Sequence, residues 1–153
     1  MLKLLAGIIA VNLLLYECNT MRKNNHKTYL DADIYFNSDK ISMNYDDSED
    51  LILLVEKLLG ECNDLYELIV TKELIRDIKQ NEDYLEIRYP EKRKIKAGNF
   101  ETIEIYNLFI PLSGKFVNSN QLSFFCGYPQ YSSGPYINSK GYKVLSDIIE
   151  RRK

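Results

Sequence analysis

The spacing of apolar residues changes twice along this chain, and that change limits the architectures open to it. Leu51, Leu54, Val55, Leu58, Cys62, Leu65 and Tyr66 recur at three- and four-residue steps, so one helical face is apolar from about Ser48 to Leu65. On either side the apolar residues recur at every second position, the period of a strand with one buried face. Strands before and after a helical centre imply an α+β domain. The expected form is an antiparallel sheet with one or two central helices and a C-terminal helix packed against it.

The first strand pair is read from Ile34 and Phe36, the turn residues Asn37, Ser38, Asp39 and Lys40, and then Ile41, Met43 and Tyr45. Asp46, Asp47, Ser48, Glu49 and Asp50 supply a cap and negative charge at the positive end of the next helix, and their spacing does not fit an EF-hand loop. Leu68, Ile69 and Val70 either continue that helix or form an extended link. In the second case Thr71 caps a further helix that carries Leu74, Ile75 and Ile78 to about Gln80. Leu85, Ile87 and Tyr89 alternate with Glu86 and Arg88 until Pro90 stops the strand. Ile103 and Ile105 have one parity and Leu108, Ile110 and Leu112 the other, so a bulge or a bend is expected near Asn107. Leu122, Phe124, Cys126 and Tyr128 form another strand with Phe125 on its opposite face. Val144, Leu145, Ile148 and Ile149 give a short final helix, with Arg151, Arg152 and Lys153 at its negative end.

A different kind of sequence precedes this domain. Lys3 is followed by an uncharged, largely apolar run from Leu4 to Tyr16, which ends at Glu17 and Cys18. Those 13 residues rise about 20 Å as a helix, short of the roughly 30 Å hydrocarbon core of a bilayer. Their number and basic start suit a signal-peptide core, with Lys3 on the cytoplasmic side. A buried first helix or strand of a cytosolic protein is the alternative, and the polar stretch Asn19, Thr20, Arg22, Lys23, Asn24, Asn25, His26 and Lys27 weighs against it.

The end of the run resembles a bacterial lipoprotein signal. Leu15 and Cys18 match its leucine and cysteine, with Tyr16 and Glu17 in place of the usual small residues between them. The resemblance covers the N-terminus only. It implies that residues 1–18 are a signal peptide ending at a lipidated Cys18, held by acyl chains that each contribute about 0.8 kcal/mol per buried CH₂. Residues 19–30 are then a flexible polar tether and residues 31–153 a single α+β domain. The implied address is a bacterial cell envelope, on its periplasmic or extracellular face, with the membrane as a partner through the lipid anchor.

With Cys18 given to lipid, Cys62 and Cys126 remain, either as a disulfide pair or as two buried thiols. Nothing in the sequence brings them within bonding distance, which favours the thiols. No cysteine spacing matches a zinc site and the single histidine, His26, lies in the tether, so no metal or cofactor is expected. The chain has 20 Lys and Arg against 22 Asp and Glu, and removal of Met1 to Cys18 takes one of each, leaving the net charge at −2. That balance argues against a nucleic-acid partner.

Two patches are candidates for function. Arg88, Lys92, Arg93, Lys94 and Lys96 lie between two expected strands and could meet an acidic partner or a lipid headgroup, or could protect a sheet edge. Gly127 to Tyr142 reads as a loop in which Tyr128, Tyr131, Tyr136 and Tyr142 sit among Pro129, Gly134, Pro135 and Gly141. Such a loop can present rigid aromatic contacts to a protein, peptide or glycan, or its tyrosines can cover the core. The chain carries no nucleophile elbow, phosphate loop, dinucleotide fingerprint or H-E-x-x-H motif. Glu86 and Glu104, on adjacent expected strands, are the remaining acid and base pair, but their alternating positions place them on a solvated face. The sequence therefore points to a small binding or inhibitor-like module rather than an enzyme, with a structural envelope protein without a discrete site as the first alternative and a carboxylate-based enzyme as the second.

Overall fold

Two apolar faces, back to back, organise this chain. The structure, a computed structural model, describes residues 32–42, 45–118, 120–127 and 130–150. The expected lipidation site Cys18, the expected tether and Tyr128 lie outside these residues. Seven antiparallel strands form one sheet: β1 (Asp33–Phe36), β2 (Asp39–Lys40), β3 (Asp64–Leu65), β4 (Tyr84–Lys96), β5 (Thr102–Pro111), β6 (Leu122–Gly127) and β7 (Tyr131–Asn138). Their spatial order is β2-β1-β4-β5-β6-β7-β3. Three helices complete the α+β domain: α1 (Tyr45–Gly60), α2 (Lys72–Asn81) and α3 (Tyr142–Glu150).

Strand parity sorts the core. Leu85 and Ile87 of β4, Leu108 and Ile110 of β5, and Leu122, Phe124 and Cys126 of β6 face α1 and α3, where they meet Ile52, Val55, Leu59 and Leu145. The intervening residues Tyr84, Phe109 and Phe125 face the other way and pack under Ile75 and Ile78 of α2, with Phe116 from the 3₁₀ turn Gly114–Phe116. The sheet is therefore covered on both sides. Cys62 and Cys126 belong to the larger core as free, buried thiols, and burial pushes Cys62 up to about 12, so it stays protonated and packs as a small hydrophobe.

Several expectations change in detail. The β1–β2 turn places Asn37 and Ser38 at φ 49° and 72°, the two left-handed residues of a primed hairpin turn, and Tyr45 begins α1 rather than ending a strand. Helix α1 stops at Gly60, short of the predicted Leu65, because Asn63 and Tyr66 donate backbone hydrogen bonds to Ile137 and Pro135 and draw this segment to the sheet edge as β3. Asn138, buried, donates through its side chain to the Leu58 carbonyl at 2.8 Å and satisfies an acceptor in the last turn of α1.

Pro90 does not stop its strand. β4 runs through it to Lys96, and the register slips between Arg88 and Arg93, which pair with Asn107 and Ile105. Of the extra β4 residues, Tyr89 is buried in the larger core and Pro90, Glu91 and Lys92 are exposed, and with no β5 residue paired to Pro90 its missing N–H costs no ladder bond there. The parity switch in β5 falls at the same place: Ile103 and Leu108, of opposite parity, lie on either side of the slip and both reach the larger core.

The link and second helix form as read, with Thr71 as N-cap accepting from the Leu74 N–H at 3.1 Å. Thr71→Ala should cost about 1 kcal/mol in urea denaturation, the usual worth of such a cap. An unchanged midpoint would mean that the cap contributes nothing to seating α2.

Candidate functional site

Helix α2 divides its surface into three sectors because successive residues turn by about 100°. Leu74, Ile75 and Ile78 form the apolar sector, Glu73 and Asp77 an acidic one, and Lys72, Arg76 and Lys79 a basic one. The apolar sector seats the helix on Tyr84, Phe109 and Phe125, which turns the basic sector toward the open side of the sheet.

Beneath that basic sector lies Glu86. The sequence places it on a solvated face, but the residue is only 3% exposed, with side chains from α2, β7 and β4 itself closed around its carboxylate. Lys79 Nζ donates to both carboxylate oxygens at 3.0 Å, Arg88 donates to Oε2 at 3.0 Å, and the Tyr131 hydroxyl donates to Oε1. Burial pushes the carboxyl up, but the hydrogen bonds from Tyr131, Arg88 and Lys79 together outweigh it and hold Glu86 below its ordinary value. Glu86 is thus a carboxylate with its charge satisfied. Burial, followed by the charge of Glu86, raises Tyr131, so its hydroxyl remains a donor.

The Lys79 ammonium also stands 5.6 Å from the ring centre of Tyr84, 5.5 Å from Phe109 and 5.7 Å from Tyr131. Three aromatic rings and one carboxylate fix it in place. Arg88 stacks its guanidinium 4.3 Å from the Tyr35 ring centre, and Tyr35 donates to Asp33 at 3.3 Å. The network therefore ties β1, β4, β7 and α2 together.

A groove of about 480 Å³ opens beside this network. Ile75 and Tyr131 form its apolar wall, Lys72, Arg76 and Lys79 its basic rim, and Ser38, Gln80 and Gln130 add neutral polar groups. A polar hollow of about 390 Å³ continues from Lys79 and Gln80 toward Asn37, Glu82, Asp83 and Ser113. Burial raises the Glu82 carboxyl, which lies over Gly114.

The residues singled out from sequence are scattered by the fold. The presumed loop is largely strand β7, since Gly134 and Pro135 interrupt the alternation without ending the pairing to β6, whose register shifts to accommodate them. Tyr131 lies in the groove, whereas Tyr136 is buried on the opposite face and donates to Glu101 at 2.8 Å. Tyr142 opens α3 and donates to the Leu112 carbonyl at 3.0 Å. The basic cluster is likewise divided: Arg88 goes to Glu86, Arg93 to Glu56 at 3.3 Å, and Lys92 and Lys94 to exposed Glu104 at 2.8 and 3.4 Å. Glu86 and Glu104 consequently serve separate ion pairs. Among the described residues no group of three or more His, Cys, Asp or Glu is placed to hold a metal ion. No helix among them is long and apolar enough to cross a membrane.

Sequence reading missed the groove because its parts come from α2, the β1–β2 turn and the start of β7. The three-sector pattern of Lys72 to Lys79 is the one local signal that points to it. No family model, curated protein or solved structure matches this chain.

Proposed function

We propose that this protein is a small ligand-binding module held at a bacterial envelope membrane through lipidated Cys18, and that the groove beside α2 is its binding site. The observation that carries the reading is the groove itself: an apolar wall of Ile75 and Tyr131 under a basic rim, seated on buried Glu86 and its satisfied donors. Its volume falls within the range of about 300–1,000 Å³ usual for small-molecule sites. A fixed framework also favours binding over catalysis, since every group that could move a proton to Glu86 already donates a hydrogen bond to it.

A fragment screen followed by amide chemical shifts tests the site. Ligands should move the resonances of Ser38, Ile75, Arg76, Lys79 and Tyr131 ahead of all others. Shifts confined to another surface would defeat the reading. The anchor is tested by intact mass from a bacterial membrane fraction: the chain should lack residues 1–17 and carry acyl mass, and Cys18→Ala should release it from the membrane. Recovery of an unmodified chain that begins at Met1 in an export-competent host would defeat the anchor.

A further inference from the structure

We infer that the groove beside α2 takes a ligand with an oxyanion head, carboxylate or phosphate, joined to an apolar body of a few carbon atoms. This inference rests on the groove being the binding site. Its charge follows from the placement of cations. Lys79 is neutralised by Glu86, which Arg88 also approaches, whereas Lys72 and Arg76 make no ion pair among the described residues. The acidic sector of α2 offers them nothing at the rim, because Glu73 and Asp77 do not line the groove and Asp77 accepts a hydrogen bond from Asn81 at 3.0 Å. Two uncompensated cations thus flank an apolar wall. An Arg guanidinium presents paired N–H donors that fit the two oxygens of a carboxylate or phosphate, and Lys72 adds a second charge one turn away.

The apolar body is set by the other side. Ile75 and the Tyr131 ring face the opening, and Tyr131 cannot swing away without breaking its hydrogen bond to Glu86. A free inorganic anion would leave this wall wet. A neutral apolar ligand would leave Arg76 without a partner. The polar contribution of Ser38, Gln80 and Gln130 suits the remaining anion oxygens or a linking atom.

The test compares hexanoate, hexyl phosphate, hexanol, hexylamine and inorganic phosphate, each titrated against the full chain with amide shifts as the readout. Hexanoate or hexyl phosphate should bind at the groove at least about tenfold more tightly than hexanol and hexylamine, and hexyl phosphate more tightly than inorganic phosphate. The tighter of the two anionic probes names the head. Arg76→Glu should weaken that probe by about tenfold or more with no loss of thermal stability, while Glu73→Gln, on the acidic sector, should change it less than about twofold. Added salt should weaken binding, as it does between exposed charges. Equal binding of hexanol, or of inorganic phosphate, would overturn the oxyanion-with-apolar-body assignment and leave the groove as a binding site. If no probe moves a groove resonance, the inference and the site reading both fall.

Discussion

Phe109→Ala should remove about 3–5 kcal/mol of folding stability, the usual cost of emptying a buried aromatic site. Phe109 is fully buried at the centre of the smaller core, with Tyr84, Tyr131 and Phe125 at ring separations of 5.0, 5.5 and 6.1 Å. Alanine leaves a cavity that the sheet side cannot close, because Phe109 pairs with Glu86 and Phe125 on neighbouring strands whose positions are fixed by the ladder. Helix α2 could settle toward the gap, but only by dragging Lys79 from Glu86. A domain of this size has about 5–15 kcal/mol in total, so the variant should unfold at a much lower urea concentration with an unchanged slope. Phe109→Leu refills part of the space and should cost clearly less. A loss below about 1 kcal/mol for the alanine variant would show that α2 does not press on this face of the sheet. The groove should suffer as well, since Tyr131 loses one of the rings that holds it.

The architecture of this domain is more legible in its sequence than its groove is, for a physical reason. Period and parity report which side chains face inward along one element, and so Leu51, Val55 and Leu58 and, in the next helix, Ile75 and Ile78 read correctly as inward, although Ile52 and Leu59, fully buried beside them, are not on the expected face. They do not report what lies across the second face of a strand. Glu86 between Leu85 and Ile87 is the pattern of a half-exposed strand, and it is Lys79 of α2, Tyr131 of β7 and Arg88, brought from separate segments, that contact its carboxylate where it lies buried. The tyrosines fail differently. Gly134 and Pro135 are ordinary loop residues, yet β6 and the β3 segment supply enough pairing on both sides of β7 to keep them in the sheet. Pro90 is tolerated on the same principle, at a bulge where no partner waits for its N–H. In each case pairing from distant sequence overrides a local preference, and a groove assembled from three separated segments leaves only the charge sectors of α2 as a trace.

Glu86→Gln should lower stability at neutral pH by about 2–3 kcal/mol, and the deficit should shrink in acid. The amide keeps the shape of the carboxylate but turns one acceptor into a donor, facing Lys79 or Arg88 in a site where the residue is 3% exposed. The sign of the pH effect follows from the lowered folded value. The unfolded chain, near the ordinary 4.5, takes up a proton before the folded one does, so the contribution of Glu86 is complete above that pH and is lost as pH falls through the folded value. Wild type should therefore lose stability across this acid range faster than the variant, and the two curves should converge. Parallel curves from pH 7 to pH 3 would mean that Glu86 is not held as a carboxylate by its donors. A second variant separates charge pairing from packing. Lys79→Met alone strands part of the carboxylate charge, whereas Glu86→Leu with Lys79→Met replaces the ion pair by apolar groups among Tyr84, Phe109 and Tyr131. The double variant should be more stable than the sum of the two single losses by about 1–3 kcal/mol, because neither partner is left charged and alone. Such a recovery, joined to weaker binding of an anionic probe, would place the role of the pair in positioning Lys79 and the Tyr131 ring at the groove rather than in folding the sheet beneath it.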